Sequence, residues 1–185
     1  MDHYLNIRVL ADPEFSTQAL LEALFAKLHR ALVATGHGRI GVSFPSAGKK
    51  TLGSQLRLHG GSGDLVELQS AGWLKGLRDY CECSEIIPIP TRIQYRVVRR
   101  VQVKSNVQRL RRRSVSKGWL TEEEALLRIP DNREQQCNLP FLRLKSVSSA
   151  QSFLLFIDQG ELQETPVSGT FSAYGLSTIA TVPWF

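Results

Sequence analysis

Between Arg92 and Lys117 the chain carries ten basic residues and no acidic one. Like charges at that density cannot be packed into an interior, so this stretch must lie on the surface of a fold whose core is built elsewhere. The whole chain has a net charge of +6; outside this window it is therefore slightly acidic, and the positive field is concentrated in one place. Such a concentration suits a polyanion. A solvated basic face without a partner is the plainer alternative.

The same window changes its hydrophobic period halfway. Ile93, Tyr95, Val97, Val101 and Val103 fall on one parity, and Gln94, Arg96, Arg100, Gln102 and Lys104 on the other, interrupted by Arg99 and Val98. Period two predicts a strand with the apolar parity packed and the Arg and Gln parity turned outward. Arg100 and Gln102 then project side by side. A guanidinium fork matches the acceptor edge of guanine, and an amide matches adenine. From Ser105 or Asn106, either of which can cap a helix, a helical period runs to about Lys117 and stops at Gly118. Val107, Leu110 and Ser114 share one face of it, while Arg109, Arg112, Arg113 and Ser116 line the opposite face. Arginine suits this stripe because its planar fork grips phosphate and base together. Nucleic acid is the favoured partner.

The remainder supplies the core. The 185 residues are 42% apolar, enough for one domain or for two small ones that pack together. Tyr4–Leu10 alternates like a strand. Residues 17–35 place Leu20, Leu21, Leu24, Phe25, Leu28 and Leu32 at helical spacing, with Gly36 as the stop. Short strands are predicted at 40–44 and 52–59, a second helix over 64–80, and a strand over 85–90. This order matches the βαββαβ plan of ferredoxin-like folds and RNA-recognition motifs. Beyond Gly118, Thr121 and Glu124 form a capping box, and 141–147 with 152–157 read as a hairpin. The expected architecture is α+β. A ferredoxin-like domain over residues 1–94 packs against a smaller α/β domain over 95–185, which carries the arginine-rich helix (about 106–117) and the C-terminal hairpin.

Candidate chemistry is sparse. The three cysteines lack zinc spacing, no histidine–carboxylate cluster suggests a metal, and Gly48-Lys49 lacks the pattern of a phosphate-binding loop. No cofactor is expected. No stretch is long and apolar enough for a membrane span, and the N-terminus does not read as a signal peptide, so the expected location is the cytoplasm. His29 lies at the edge of the first helix's apolar stripe. Histidine is the side chain best suited to moving protons near neutral pH, and RNA can be cut without metal by its own 2′-hydroxyl. One imidazole, a hydroxyl and a few arginines suffice for that reaction.

Several collinear segments carry a resemblance. Phe25-Ala26-Lys27-Leu28-His29-Arg30-Ala31-Leu32-Val33, Arg39-Ile40-Gly41-Val42-Ser43-Phe44-Pro45, Arg99 to Asn106, Arg109 to Arg113, Phe153 to Ile157, Tyr174-Gly175-Leu176-Ser177 and Val182-Pro183-Trp184-Phe185 together resemble the type I-F CRISPR repeat-processing endoribonucleases. The resemblance implies a metal-independent RNase that cuts the CRISPR repeat transcript at the 3′ base of a hairpin. It leaves 2′,3′-cyclic phosphate and 5′-hydroxyl ends and keeps the crRNA as a subunit of the surveillance complex, being a monomer when free. It also implies that His29 is the catalytic histidine, Ser146 the serine that holds the nucleophilic ribose, and Tyr174 the tyrosine that orients the site. Phe153 would stack on the terminal base pair, and Arg100 and Gln102 would read bases at the stem foot. Arg112 and Arg113 would enter the RNA groove, joined in RNA binding by Lys104, Ser105, Arg109, Lys117 and Ser148. Ser116 and Lys117 depart from the pattern, standing where arginines commonly extend the stripe. A non-catalytic RNA-hairpin-binding cap subunit is the alternative function, and a DNA-binding module using the same stripe is a third.

Overall fold

The computed structural model describes residues 1–35, 38–102, 107–129, 138–146 and 151–185, with the side chains of 107–109 outside the description. Within these residues the chain is α+β, with four α-helices and two antiparallel sheets. It divides into two compact units, Met1–Val101 with Leu139–Phe185, and Gln102–Asn138.

The larger unit holds both sheets. In the first, β1 (His3–Val9) is central, flanked by β3 (Gln55–Gly60) and β4 (Cys81–Cys83); β2 (Gly41–Ser43) lies outside β3, and the short β5 (Ile87–Pro88) also pairs with β1. Helix α1 (Thr17–Thr35) buries Leu20, Leu21, Leu24, Phe25, Leu28, Ala31 and Leu32. Apart from Ala31 these are the residues that its 3.6-residue period aligns, and at about 2 kcal/mol for each large side chain their burial is what fixes the helix. The predicted stop at Gly36 lies outside the described residues.

Two sequence expectations are corrected here. The second helix, α2 (Ser62–Ser70), is shorter than predicted, because Gly72 and Gly76 take positive φ (62° and 79°) and turn the chain before a single 3₁₀ turn at Arg78–Tyr80. The strand predicted over 85–90 is reduced to the two residues of β5, and an unpredicted strand, β4, precedes it and sets Ile7 opposite Cys83 and Val9 opposite Cys81. Three residues are too short a run for alternation to reveal, and pairing with β1 decides their conformation.

The second sheet has the order β7-β8-β6-β9, from Phe141–Lys145, Ser152–Gln159, Gln94–Val101 and Thr181–Trp184 respectively. The predicted hairpin is the β7–β8 pair, with Leu142 opposite Leu155 and Leu144 opposite Phe153. Strand β6 forms as predicted, with Gln94 and Arg100 exposed, but its one buried side chain lies on the parity expected to face outward. Val98 is its buried residue, sharing a face with Leu142, Leu144, Leu155 and Ile157, whereas Tyr95, Val97 and Val101 are only half-buried. The packed face is set by the partner strands, which present leucine and isoleucine on the even side of β6. Arg96, expected outward, is half-buried. Its Nε donates to the Gly160 carbonyl at 2.9 Å, its guanidinium stacks 4.3 Å from the Trp184 ring centre, and burial lowers its pKa.

Both sheets contribute to one buried cluster, and a side chain at the end of β8 ties the second sheet to the end of β2 in the first. Gln159, the last residue of β8, accepts from the Phe44 N–H at 2.9 Å and donates to the Phe44 carbonyl at 3.0 Å. Its amide thus acts as a one-residue strand beside the end of β2, pairing with both main-chain polar groups of the buried Phe44. Helix α1 is fastened to β7 in a similar way. Gln18 donates to Glu22 and to the Phe141 carbonyl, and Glu22 accepts from the Arg143 N–H at 2.8 Å.

The smaller unit contains α3 (Val107–Ser116) and α4 (Glu122–Arg128). Gly118, at φ 67°, ends α3: its N–H bonds the Val115 carbonyl and the Trp119 N–H bonds that of Ser114, the paired bonds of a Schellman cap. The predicted capping box opens α4, with Thr121 Oγ1 accepting from Glu124 N–H and the Glu124 carboxylate from Thr121 N–H.

Candidate active site and nucleic-acid interface

His29 lies on α1 one turn beyond the buried Phe25, at the border between the core stripe and solvent, and is half-buried. Its Nδ1 is 2.8 Å from the main-chain oxygen of Ala173. Its ring is stacked on Tyr174, with centroids 4.0 Å apart and planes 9° from parallel. Phe25, on the same helix, is nearly parallel to Tyr174 at 6.3 Å and 3°. The imidazole is therefore held in plane by a hydrogen bond and across its face by an aromatic ring.

The hydrogen bond also determines where the ring proton sits. A carbonyl only accepts, so Nδ1 must donate, and Nε2 remains the basic nitrogen of the neutral ring. The turn that supplies both partners is closed by Gly175 N–H to Ser172 carbonyl and Ser172 N–H to Leu176 carbonyl, each 2.8 Å, and is fixed to β2 by Val42 N–H to Gly175 carbonyl at 2.9 Å. Ala173 left no signal in the sequence, since its contribution is a backbone oxygen.

Ser146 follows the last residue of β7, half-buried, and its N–H bonds the Gln151 carbonyl at 2.9 Å across the mouth of the hairpin. Phe153, opposite Leu144, packs against the core with part of its ring exposed, and the Arg100 guanidinium lies 5.6 Å from its centre. Arg100 is exposed at the same end of the sheet, while its neighbour Arg99 is engaged by Asp158 at 2.8 Å. Gln102 is exposed just beyond the strand. Ser148, Lys104 and Ser105 lie outside the described residues, as does the Arg109 side chain.

On α3 the described arginines divide into two kinds. Arg111 donates through Nε and Nη2 to the Ile129 carbonyl at 2.8 and 2.6 Å, so it joins the two helices of the smaller unit. Arg112, Arg113, Ser116 and Lys117 are exposed, whereas Leu110, Ser114 and Val115 are half-buried. The exposed side is thus a cationic ridge with no acidic residue on the helix to neutralise it.

The buried histidine of the first sheet is a different case. His59 is fully buried on β3, its Nε2 is 2.8 Å from Ser43 Oγ, and burial depresses its pKa to about 3. It is a neutral core residue. Among the described residues no three His, Cys, Asp or Glu side chains converge as metal ligands, and no helix is long and apolar enough to cross a membrane.

The profile of a family described as CRISPR-associated protein (Cas_Csy4) matches residues 4–185. The chain is similar over its full length, at 59% identity across 185 residues, to a protein of Escherichia coli (strain UTI89 / UPEC) named CRISPR-associated endonuclease Cas6/Csy4, which it also covers completely. It is 50% identical over 187 residues to a protein of the same name from Pseudomonas aeruginosa (strain UCBPP-PA14), again with both chains fully covered.

Proposed function

Because the chain belongs to the Cas_Csy4 family of CRISPR-associated proteins, we propose that it is a metal-independent endoribonuclease that binds the CRISPR repeat RNA hairpin and cuts at its 3′ base. The observation that carries this is the imidazole of His29, hydrogen-bonded through Nδ1 and stacked on Tyr174, with Nε2 left basic. In the reaction, Nε2 takes the proton of the ribose 2′-hydroxyl as that oxygen bonds to the adjacent phosphorus. The bond from phosphorus to the 5′ oxygen breaks, and this oxygen takes a proton from water. The ends are a 2′,3′-cyclic phosphate and a 5′-hydroxyl. A positioned base contributes on the order of 10²–10⁴ in rate.

Ser146 holds the attacking ribose. The pace of α1 along β7 supports this: Gln18 meets Phe141 and Glu22 meets Arg143, so each further turn of helix advances about two strand residues, and the level of His29 falls near the end of β7. Phe153, with Arg100 beside it, forms the platform for the hairpin's terminal base pair, and Arg100 and Gln102 read bases at its foot. Arg109, Arg112, Arg113 and Lys117 bind the phosphates, with Lys104, Ser105 and Ser148 contributing further contacts. The strand order β2-β3-β1-β4 around two helices supports a ferredoxin-like N-terminal domain. The product crRNA stays bound, and the protein, a cytoplasmic monomer when free, enters the type I-F surveillance complex with it.

Incubating the purified chain with its repeat RNA in excess chelator, and mapping the product ends, tests this reading. Cyclic-phosphate and 5′-hydroxyl ends at one position are expected, and a hairpin with a single 2′-deoxyribose before the cut is expected to bind and stay intact. Tight binding of the unmodified hairpin without cutting would make the chain a non-catalytic cap.

A further inference from the structure

Histidine in water prefers the neutral tautomer with its proton on Nε2, which leaves that nitrogen no lone pair to accept a proton. The Ala173 carbonyl, 2.8 Å from Nδ1, imposes the opposite tautomer. That carbonyl is not simply a passing piece of chain. Ser172 accepts at its Oγ from the N–H groups of Tyr174 and Leu176, at 3.3 and 3.4 Å, in addition to the two main-chain bonds that close the turn. Gly175 stands at φ 68°, and a Cβ there would meet Val42 Cγ1 at 2.6 Å, so the turn approaches β2 more closely than any side chain permits.

We infer that the turn from Ser172 to Leu176 is a tautomer clamp for His29, and that Ser172 and Gly175 are positioning residues that keep the ring proton on Nδ1. The catalytic consequence rests on the reading of His29 as the base. A ring flip about Cβ–Cγ would put a carbon against the Ala173 oxygen and strand that oxygen without a donor, and the stacked Tyr174 ring opposes any tilt. Proton exchange at His29 is thereby confined to Nε2 in both the neutral and the cationic ring.

The test is long-range ¹H–¹⁵N NMR of the His29 ring in the free protein, with single-turnover cleavage and affinity measured on the repeat hairpin RNA. In the unaltered protein above neutral pH, Nδ1 is expected to show the shift of a protonated nitrogen and Nε2 that of a bare one. In Ser172→Ala the two shifts move toward each other as tautomers mix. Cleavage slows about tenfold, in keeping with a misplaced base, and hairpin affinity stays within about twofold. Ser172→Thr, which retains the hydroxyl, restores both. Gly175→Ala is the second probe, expected to mix the tautomers further. A neutral ring protonated on Nε2 in the unaltered protein, or unchanged shifts and rate in both variants, overturns the clamp. The NMR arm needs no RNA, so undiminished cutting by His29→Ala would remove the proposed base while leaving the tautomer measurement to stand or fall by itself.

Discussion

His29 and Tyr174 lie face to face at 4.0 Å, one from the middle of a leucine-rich helix and the other from a turn near the end of the chain. The helix alone leaves an edge histidine free to rotate into solvent. The turn removes that freedom twice, through the ring of one residue and the carbonyl of its neighbour. Orientation of the imidazole is thus a tertiary property, and its loss is separable from loss of the imidazole.

Replacing His29 by Ala is expected to lower single-turnover cleavage of the repeat hairpin by about 10²–10⁴ while affinity changes little. Filter binding beside a cleavage time course measures both. Cutting at the original rate would eliminate His29 from the reaction.

The contribution proposed for Tyr174 comes from its ring, which is stacked on His29. Tyr174→Phe preserves the stack and is expected to cut within a few-fold of the unaltered protein, whereas Tyr174→Ala is expected to lose tenfold or more, since an ordered base owes much of its effect to alignment. Equal rates for the two variants would show that stacking does not matter.

Arg112 and Arg113 are exposed on α3, so their replacement by Ala leaves the fold intact. Affinity for the hairpin is expected to fall, and the slope of log K against log salt to flatten by roughly 0.7–0.9 for each phosphate that is no longer neutralised. A titration series in salt reads this directly; an unaltered slope means that the ridge does not touch the backbone.

His59 gives the fold a pH dependence. Its folded pKa is depressed to about 3 from an ordinary 6.5, so the unfolded chain binds a proton before the folded one does. Its contribution is complete above pH 6.5 and declines as pH falls through the interval down to 3, with a slope approaching about 1.4 kcal/mol per pH unit. Urea unfolding between about pH 7.5 and 4.5 is expected to show this decline, and His59→Gln to flatten it. A parallel decline in the variant would assign the acid sensitivity to other groups.

The elements most legible in the sequence were those whose burial pattern is long. The leucines of α1 marked both its face and its extent, and Thr121 with Glu124 marked the start of α4. Elements decided by partners were harder. The odd-numbered valines of β6 outnumber Val98, yet Val98 is the buried one, because the leucines of β7 and β8 lie on its side. The α2 pattern overran into Gly72 and Gly76, whose positive φ only the folded chain reveals. At the site, an edge histidine could be picked out from its place on the helix, and Tyr174 only through the family resemblance. The Ala173 oxygen could not, since any residue would supply it.

The paired hydrogen bonds between Gln159 and Phe44 make the strand that carries Phe153 and the strand beside the 172–176 turn parts of one rigid frame. On the proposed function, a hairpin foot set down on Phe153 therefore meets the imidazole at a fixed offset, as on a ruler. Lengthening the stem at its loop end leaves the cleavage position unchanged when counted from the foot, and cutting Gln159 back to Ala blurs it by loosening the scale.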